Sequence, residues 1–155
     1  MMKVIGTGNI LLSDDGIGIR VVEELSKEMA YDDNIEFIVG ETDFYYCIDN
    51  INQGDFLIII DSTILGKEPG DVTVIPFEEC DKYIKGAITE HGDSLIKVIR
   101  RENSTAEGIC IGIEAETIAY STELSKTLKD RLQVILLEVK KVIAQYNLLL
   151  ENKEH

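Results

Sequence analysis

Phe56-Leu57-Ile58-Ile59-Ile60-Asp61 is five apolar residues in a row closed by a carboxylate. An alternating pattern would mark a strand with one wet face; an unbroken apolar run of this length marks a strand covered on both faces. Ile109-Cys110-Ile111-Gly112-Ile113 repeats the signature. Both are expected to be central strands of a mostly parallel sheet. Working outward, short apolar runs alternate with longer segments of helical period, the pattern of a sheet layered by helices on both sides. Strands are predicted at Lys3–Thr7, Ile35–Val39, Phe56–Asp61, Val72–Pro76 and Gly108–Ile113, and helices near Gly16–Met29, Phe44–Asn52, Ser94–Arg101 and Ser125–Leu150. The fold class is therefore α/β, a three-layer sandwich with a twisted sheet of about five strands. The turn Gly66-Lys67-Glu68-Pro69-Gly70-Asp71 predicts that Val72–Pro76 returns antiparallel at the sheet edge. Leu124, Leu128, Leu132, Ile135, Val139, Val142, Ile143 and Tyr146 recur at three- and four-residue spacing, one apolar stripe to lie against the sheet. One domain over residues 1–150 is expected, with Glu151–His155 as a frayed tail.

Composition excludes several classes of function. Twenty-nine acidic against 15 basic residues leave a net charge of -14, which repels a phosphate backbone and an anionic bilayer. Nucleic acid and membrane are not expected as partners; cations and basic peptide segments are. No apolar run approaches the roughly 20 residues of a membrane span, and Met1–Ile5 lacks the layout of a signal peptide. The three cysteines, Cys47, Cys80 and Cys110, are scattered and odd in number, which suits a reducing cytoplasm and not a disulfide framework or a zinc knuckle.

Chemistry concentrates in Gly6-Thr7-Gly8-Asn9-Ile10-Leu11-Leu12-Ser13-Asp14-Asp15-Gly16-Ile17-Gly18, a glycine-rich turn leaving the first strand. As a dinucleotide fingerprint it fails: the third glycine falls on Leu11, and Asp14 and Asp15 stand where a helix N-terminus has to accept pyrophosphate. Ser13, Asp14 and Asp15 are candidate caps for the following helix, and capping is the role expected of Asp14. A 2-1-3 strand order makes the first and third strands neighbours, so Asp15 and Asp61 are expected to converge on the crevice at the strand C-termini. His91 is the one histidine inside the fold, since the other is terminal His155. Two carboxylates and an imidazole with open positions suit a divalent metal such as nickel or zinc. No Gly-x-Ser-x-Gly elbow or HExxH segment is present, so the common serine and zinc peptidase routes lack their residues.

The order Gly6-x-Gly8-Asn9-x-Leu11-x-x-Asp14-Asp15-Gly16-x-Gly18, Ile59-Ile60-Asp61, His91-x-x-Ser94-Leu95, Gly112-Ile113 and Leu124-Ser125 resembles the hydrogenase maturation protease family over roughly residues 3–125. The resemblance implies an endopeptidase that removes the C-terminal extension of a nickel-loaded hydrogenase large-subunit precursor. It also implies that Asp15, Asp61 and His91 contact nickel, with Asp15 and Asp61 as the catalytic carboxylates. The nickel is then held by the substrate and not stored by the enzyme, and zinc or cadmium can substitute in vitro. Two departures stand out. Where the family often reads Asp-Gly-Gly-Thr, this chain has Val39-Gly40-Glu41-Thr42, and Ala115 replaces a proline. Val39 and Glu41 favour an alternative, a non-catalytic chaperone or checkpoint module that binds the metal-loaded partner without cutting it.

Overall fold

A computed structural model of the protein describes residues 1–80 and 95–155. Five strands, β1 (Met2–Thr7), β2 (Ile35–Glu41), β3 (Phe56–Thr63), β4 (Val72–Pro76) and β5 (Glu107–Glu114), form one sheet in the order β2-β1-β3-β5-β4. All pairings are parallel except β4 with β5. The antiparallel edge strand follows from the Pro69-Gly70 turn, which brings the chain straight back without a crossover helix. Helices α1 (Ile17–Glu28), α2 (Phe44–Asp49), α3 (Leu95–Glu102) and α4 (Lys126–Lys153) cover the sheet.

The unbroken apolar run of β3 divides by alternation between two cores. Ile58 and Ile60 pack with α1 and α4 through Ile17, Val21, Leu25, Ile135, Val139 and Ile143. Leu57 and Ile59 face the other way, against Cys47 of α2 and Leu95, Ile96 and Ile99 of α3. A strand sandwiched in this manner has no wet face, which is why no polar residue interrupts it. Each fully buried isoleucine contributes roughly 2 kcal/mol by removal from water, and Ile58 and Ile60 are both fully buried. The expected stripe of α4 lies on the first core, with Tyr146 stacked on Phe56 at a centroid distance of 5.4 Å.

Several boundaries differ from expectation: β2 and β3 each run two residues further, to Glu41 and Thr63. α1 begins at Ile17, after a 3-10 turn over Ser13–Gly16, and neither element has a side-chain cap. α2 stops at Asp49, three residues short of the predicted Asn52, after an N-cap in which Asp43 accepts from the Tyr46 amide at 2.9 Å. α4 continues through Lys153, so Glu151–Lys153 are helical and not a frayed tail. Among the described residues, no helix is long and apolar enough to cross a membrane.

Candidate active site

The register sets Gly6 of β1 against Ile60 of β3, so the next residues of both strands, Thr7 and Asp61, emerge together at the C-terminal edge. Thr7 Oγ1 donates to Asp61 Oδ2 at 2.8 Å, and the Ser62 amide donates to Asp61 Oδ1 at 2.7 Å. Asp15 arrives from the loop after β1. Its Oδ2 accepts from the Asn9 amide at 2.8 Å and its Oδ1 from Ser62 Oγ at 2.9 Å. Ser62 thus holds both carboxylates, one through its amide and the other through its hydroxyl. Gly8 makes the approach possible: with φ of +131°, a β-carbon there would lie 2.0 Å from the Asp15 carbonyl oxygen and 3.4 Å from Asp61 Oδ1. No side chain fits.

Burial pushes the Asp61 carboxyl up to about 7. The neighbouring Asp15 charge adds to the rise, while the Thr7 hydroxyl and the Ser62 amide pull it back. Asp61 shares one crevice with a like charge, and desolvation dominates its behaviour. The structure brings Asp15 and Asp61 together as the sequence predicts. His91 lies outside the described residues. Among those that are described, no group of three or more His, Cys, Asp or Glu is arranged to hold a metal.

Asp14 does not cap a helix. Fully buried, it turns away from α1 and accepts from the amides of Glu116 at 3.0 Å, Thr117 at 2.9 Å and Ser125 at 2.7 Å. The loop before it adds a ladder: Ser13 N donates to Ser121 O at 2.8 Å, and Ser121 N to Leu11 O at 3.0 Å. Three orphan amides of a surface loop are a stronger demand on a carboxylate than one helix start, because an ionised acid leaves water only when its lone pairs are filled. Glu114, which sequence reasoning passed over, does the same on the other side. It is 3% exposed and accepts from Thr63 Oγ1 at 3.1 Å and from the amides of Leu65, Gly66 and Lys67 at 2.8 to 3.2 Å. An acid ending an apolar strand reads as solvent-facing; its only signal was the glycine-containing turn 64–67 in need of an anion.

The two departures also find physical settings. Glu41 has φ of +51°, the left-handed region in which glycine is at ease, and its carbonyl accepts from the Gly8 amide at 3.0 Å. Ala115 donates its amide to Thr63 O at 3.0 Å, a bond that proline cannot make. At the opposite end of the sheet, a cleft of about 670 Å³ opens between Phe56, Pro76, Phe77, Gly108 and Tyr146. It borders the strand N-termini and contains neither Asp15 nor Asp61.

A doubly wound sheet with paired carboxylates at the β1/β3 switch point defines an α/β protein with an acidic crevice at the C-terminal ends of its strands. The profile of the hydrogenase maturation proteases, HycI, matches residues 19–142. The chain belongs to the hydrogenase maturation protease family. The hydrogenase expression/formation protein HupD of Rhizobium leguminosarum bv. viciae is 38% identical over 80 residues, covering 52% of this chain and 40% of that protein. The match therefore spans less than half the length of that relative. The hydrogenase 2 maturation protease of Escherichia coli (strain K12) is 28% identical over 141 residues, 88% of this chain and 86% of the other. Among solved structures, the hydrogenase maturating endopeptidase HybD from E. coli superposes with a TM-score of 0.78 at 25% identity, covering 94% of this chain and 93% of that one.

Proposed function

We propose that the protein is a cytoplasmic endopeptidase that removes the C-terminal extension of a nickel-loaded hydrogenase large-subunit precursor, engaging the nickel through Asp15, Asp61 and His91. The observation that carries this reading is the carboxylate pair, held in one crevice by Ser62 in a chain of this family. Two carboxylates and one imidazole leave coordination positions open, which suits a metal that arrives with ligands of its own. Nickel, or zinc or cadmium in its place, therefore belongs to the substrate.

Hydrolysis needs a base to take a proton from the attacking water and an acid to give one to the leaving amine. A carboxyl poised near 7 serves both at neutral pH, as its proton affinity matches the medium. Asp61 takes the water proton as the C–O bond forms and returns it as the C–N bond breaks. Asp15, which Ser62 and Asn9 orient, holds the cationic centre in place. Nucleic acid and membrane have no part in this reading, in keeping with the charge of -14.

Glu41 supports a second reading, a checkpoint that binds the metal-loaded precursor without cutting it, because it adds an exposed acid at the crevice rim. The mass of the precursor after incubation decides between them. Loss of the extension with the parent protein, abolished by Asp15→Ala and by Asp61→Ala in folded protein, supports the peptidase. Stable binding at unchanged mass supports the checkpoint.

A further inference from the structure

The two buried acids beside the crevice, Asp14 and Glu114, raise a question that the carboxylate pair leaves open. Both spend their hydrogen bonds fixing surface loops: Asp14 clamps the amides of Glu116, Thr117 and Ser125, and Glu114 those of residues 65–67. Arg20 adds a guanidinium bond to Thr122 O at 2.6 Å, and the chain pairs with itself through a parallel bridge between Leu12 and Ser121. A connection that merely spans the gap to α4 needs no such fixing.

Among the side chains that the fixed loops present to water are four large apolar ones. Leu11 is 56% exposed, Ile64 45%, Ile118 42% and Tyr120 92%. Residues 9–15, 63–67 and 115–125 are laced together by the bonds above and by Ala115 N to Thr63 O, so the four side chains are carried by one set of linked loops, the lip of the crevice. Leu11 and Asp15 belong to the same one of these loops. Exposed apolar groups held rigidly beside a reactive crevice mark a preorganised contact surface, since ordering the loops has already been met by folding. Tyrosine is also a residue type that anchors interfaces. Exposed Glu116 on the lip, Glu41 across the crevice and the overall charge of -14 set the sign of the occupant.

We propose that the lip formed by Leu11, Ile64, Ile118 and Tyr120 is the docking surface for an apolar segment flanked by Lys or Arg in the precursor protein. This rests on the reading of the crevice given above and adds the surface that delivers the peptide to it. The test measures two quantities on the full-length protein and the nickel-loaded large-subunit precursor of the same organism: the Kd of the complex and the precursor mass. The expected result is that the double variant Ile118→Ser, Tyr120→Ser binds at least tenfold more weakly. Where cleavage occurs, KM rises and kcat changes little. Leu148→Ser, an exposed apolar position distant in sequence on α4, is expected to leave both unchanged. Unchanged Kd in the double variant, with cleavage intact, overturns the lip and leaves the peptidase standing. A tenfold loss of affinity with no mass change in any protein supports the lip and overturns the peptidase. No binding by the parent protein overturns both.

Discussion

Asp61 is both a carboxylate of the crevice and a burden on the fold. Its carboxyl has an ordinary value of 3.8 and sits near 7 in the folded chain. The folded state therefore holds a proton that the unfolded chain has released. With a raised acid the sign is that the fold loses stability as pH climbs from about 4 to about 7, and carries the full penalty above. Each tenfold change in proton affinity between the two states is equivalent to about 1.4 kcal/mol. Asp61→Asn keeps a carbonyl for the Ser62 amide and removes the charge, so it is expected to stabilise the protein by roughly 2 kcal/mol at pH 8 while abolishing processing. Urea unfolding at pH 5 and pH 8 checks this; parent and variant curves that stay parallel would contradict it. Glu41 gives the opposite kind of residue-level strain, in the backbone. Glu41→Gly is expected to gain on the order of 1 kcal/mol by relieving the left-handed conformation, less what glycine's looser unfolded chain takes back. A modest rise in melting temperature is the readout.

At the scale of elements, the sequence was readable wherever a rule of period applied. Phe56–Ile60 and Ile109–Ile113 are buried between two helix layers as an unbroken apolar run requires, and the Pro69-Gly70 turn does return β4 antiparallel. The stripe from Leu124 to Tyr146 packs as one face. Of the candidate site, the meeting of Asp15 and Asp61 followed from strand order alone. Asp14 departs from the capping role expected of it because capping is a local interaction and its real partners lie 102 to 111 residues away. No pattern within a helix turn can announce such a contact. The difference changes the expected cost: loss of a cap is worth about 1 kcal/mol, whereas Asp14 fills three amides at once, and bonds to a charged group are worth roughly 1.5 kcal/mol or more each, so about 3 kcal/mol is at stake. Asp14→Ala is expected to destabilise by the larger amount and to speed amide hydrogen exchange at Glu116, Thr117 and Ser125 above all. Exchange unchanged at these three amides would refute the clamp.

For the molecule as a whole, the net charge of -14 acts at long range. If a basic segment docks at the rim, association is steered by attraction between opposite charges, and the encounter rate falls as salt shortens the screening length to about 8 Å at 0.15 M. The expected outcome is a several-fold loss in the association rate between roughly 20 mM and 300 mM salt with little change in the rate of cleavage once bound, measured by stopped-flow mixing. The clamp at Asp14 has one more consequence, in time. Ser62 meets Asp15 across 47 positions of chain, but Asp14 reaches Ser125 across 111. During synthesis the carboxylate pair can therefore assemble once β3 has left the ribosome, while the loop beside it stays unanchored until the start of α4 has followed. In a nascent chain the acidic crevice precedes the loop that borders it, and the border is fixed only when the start of α4 has been made.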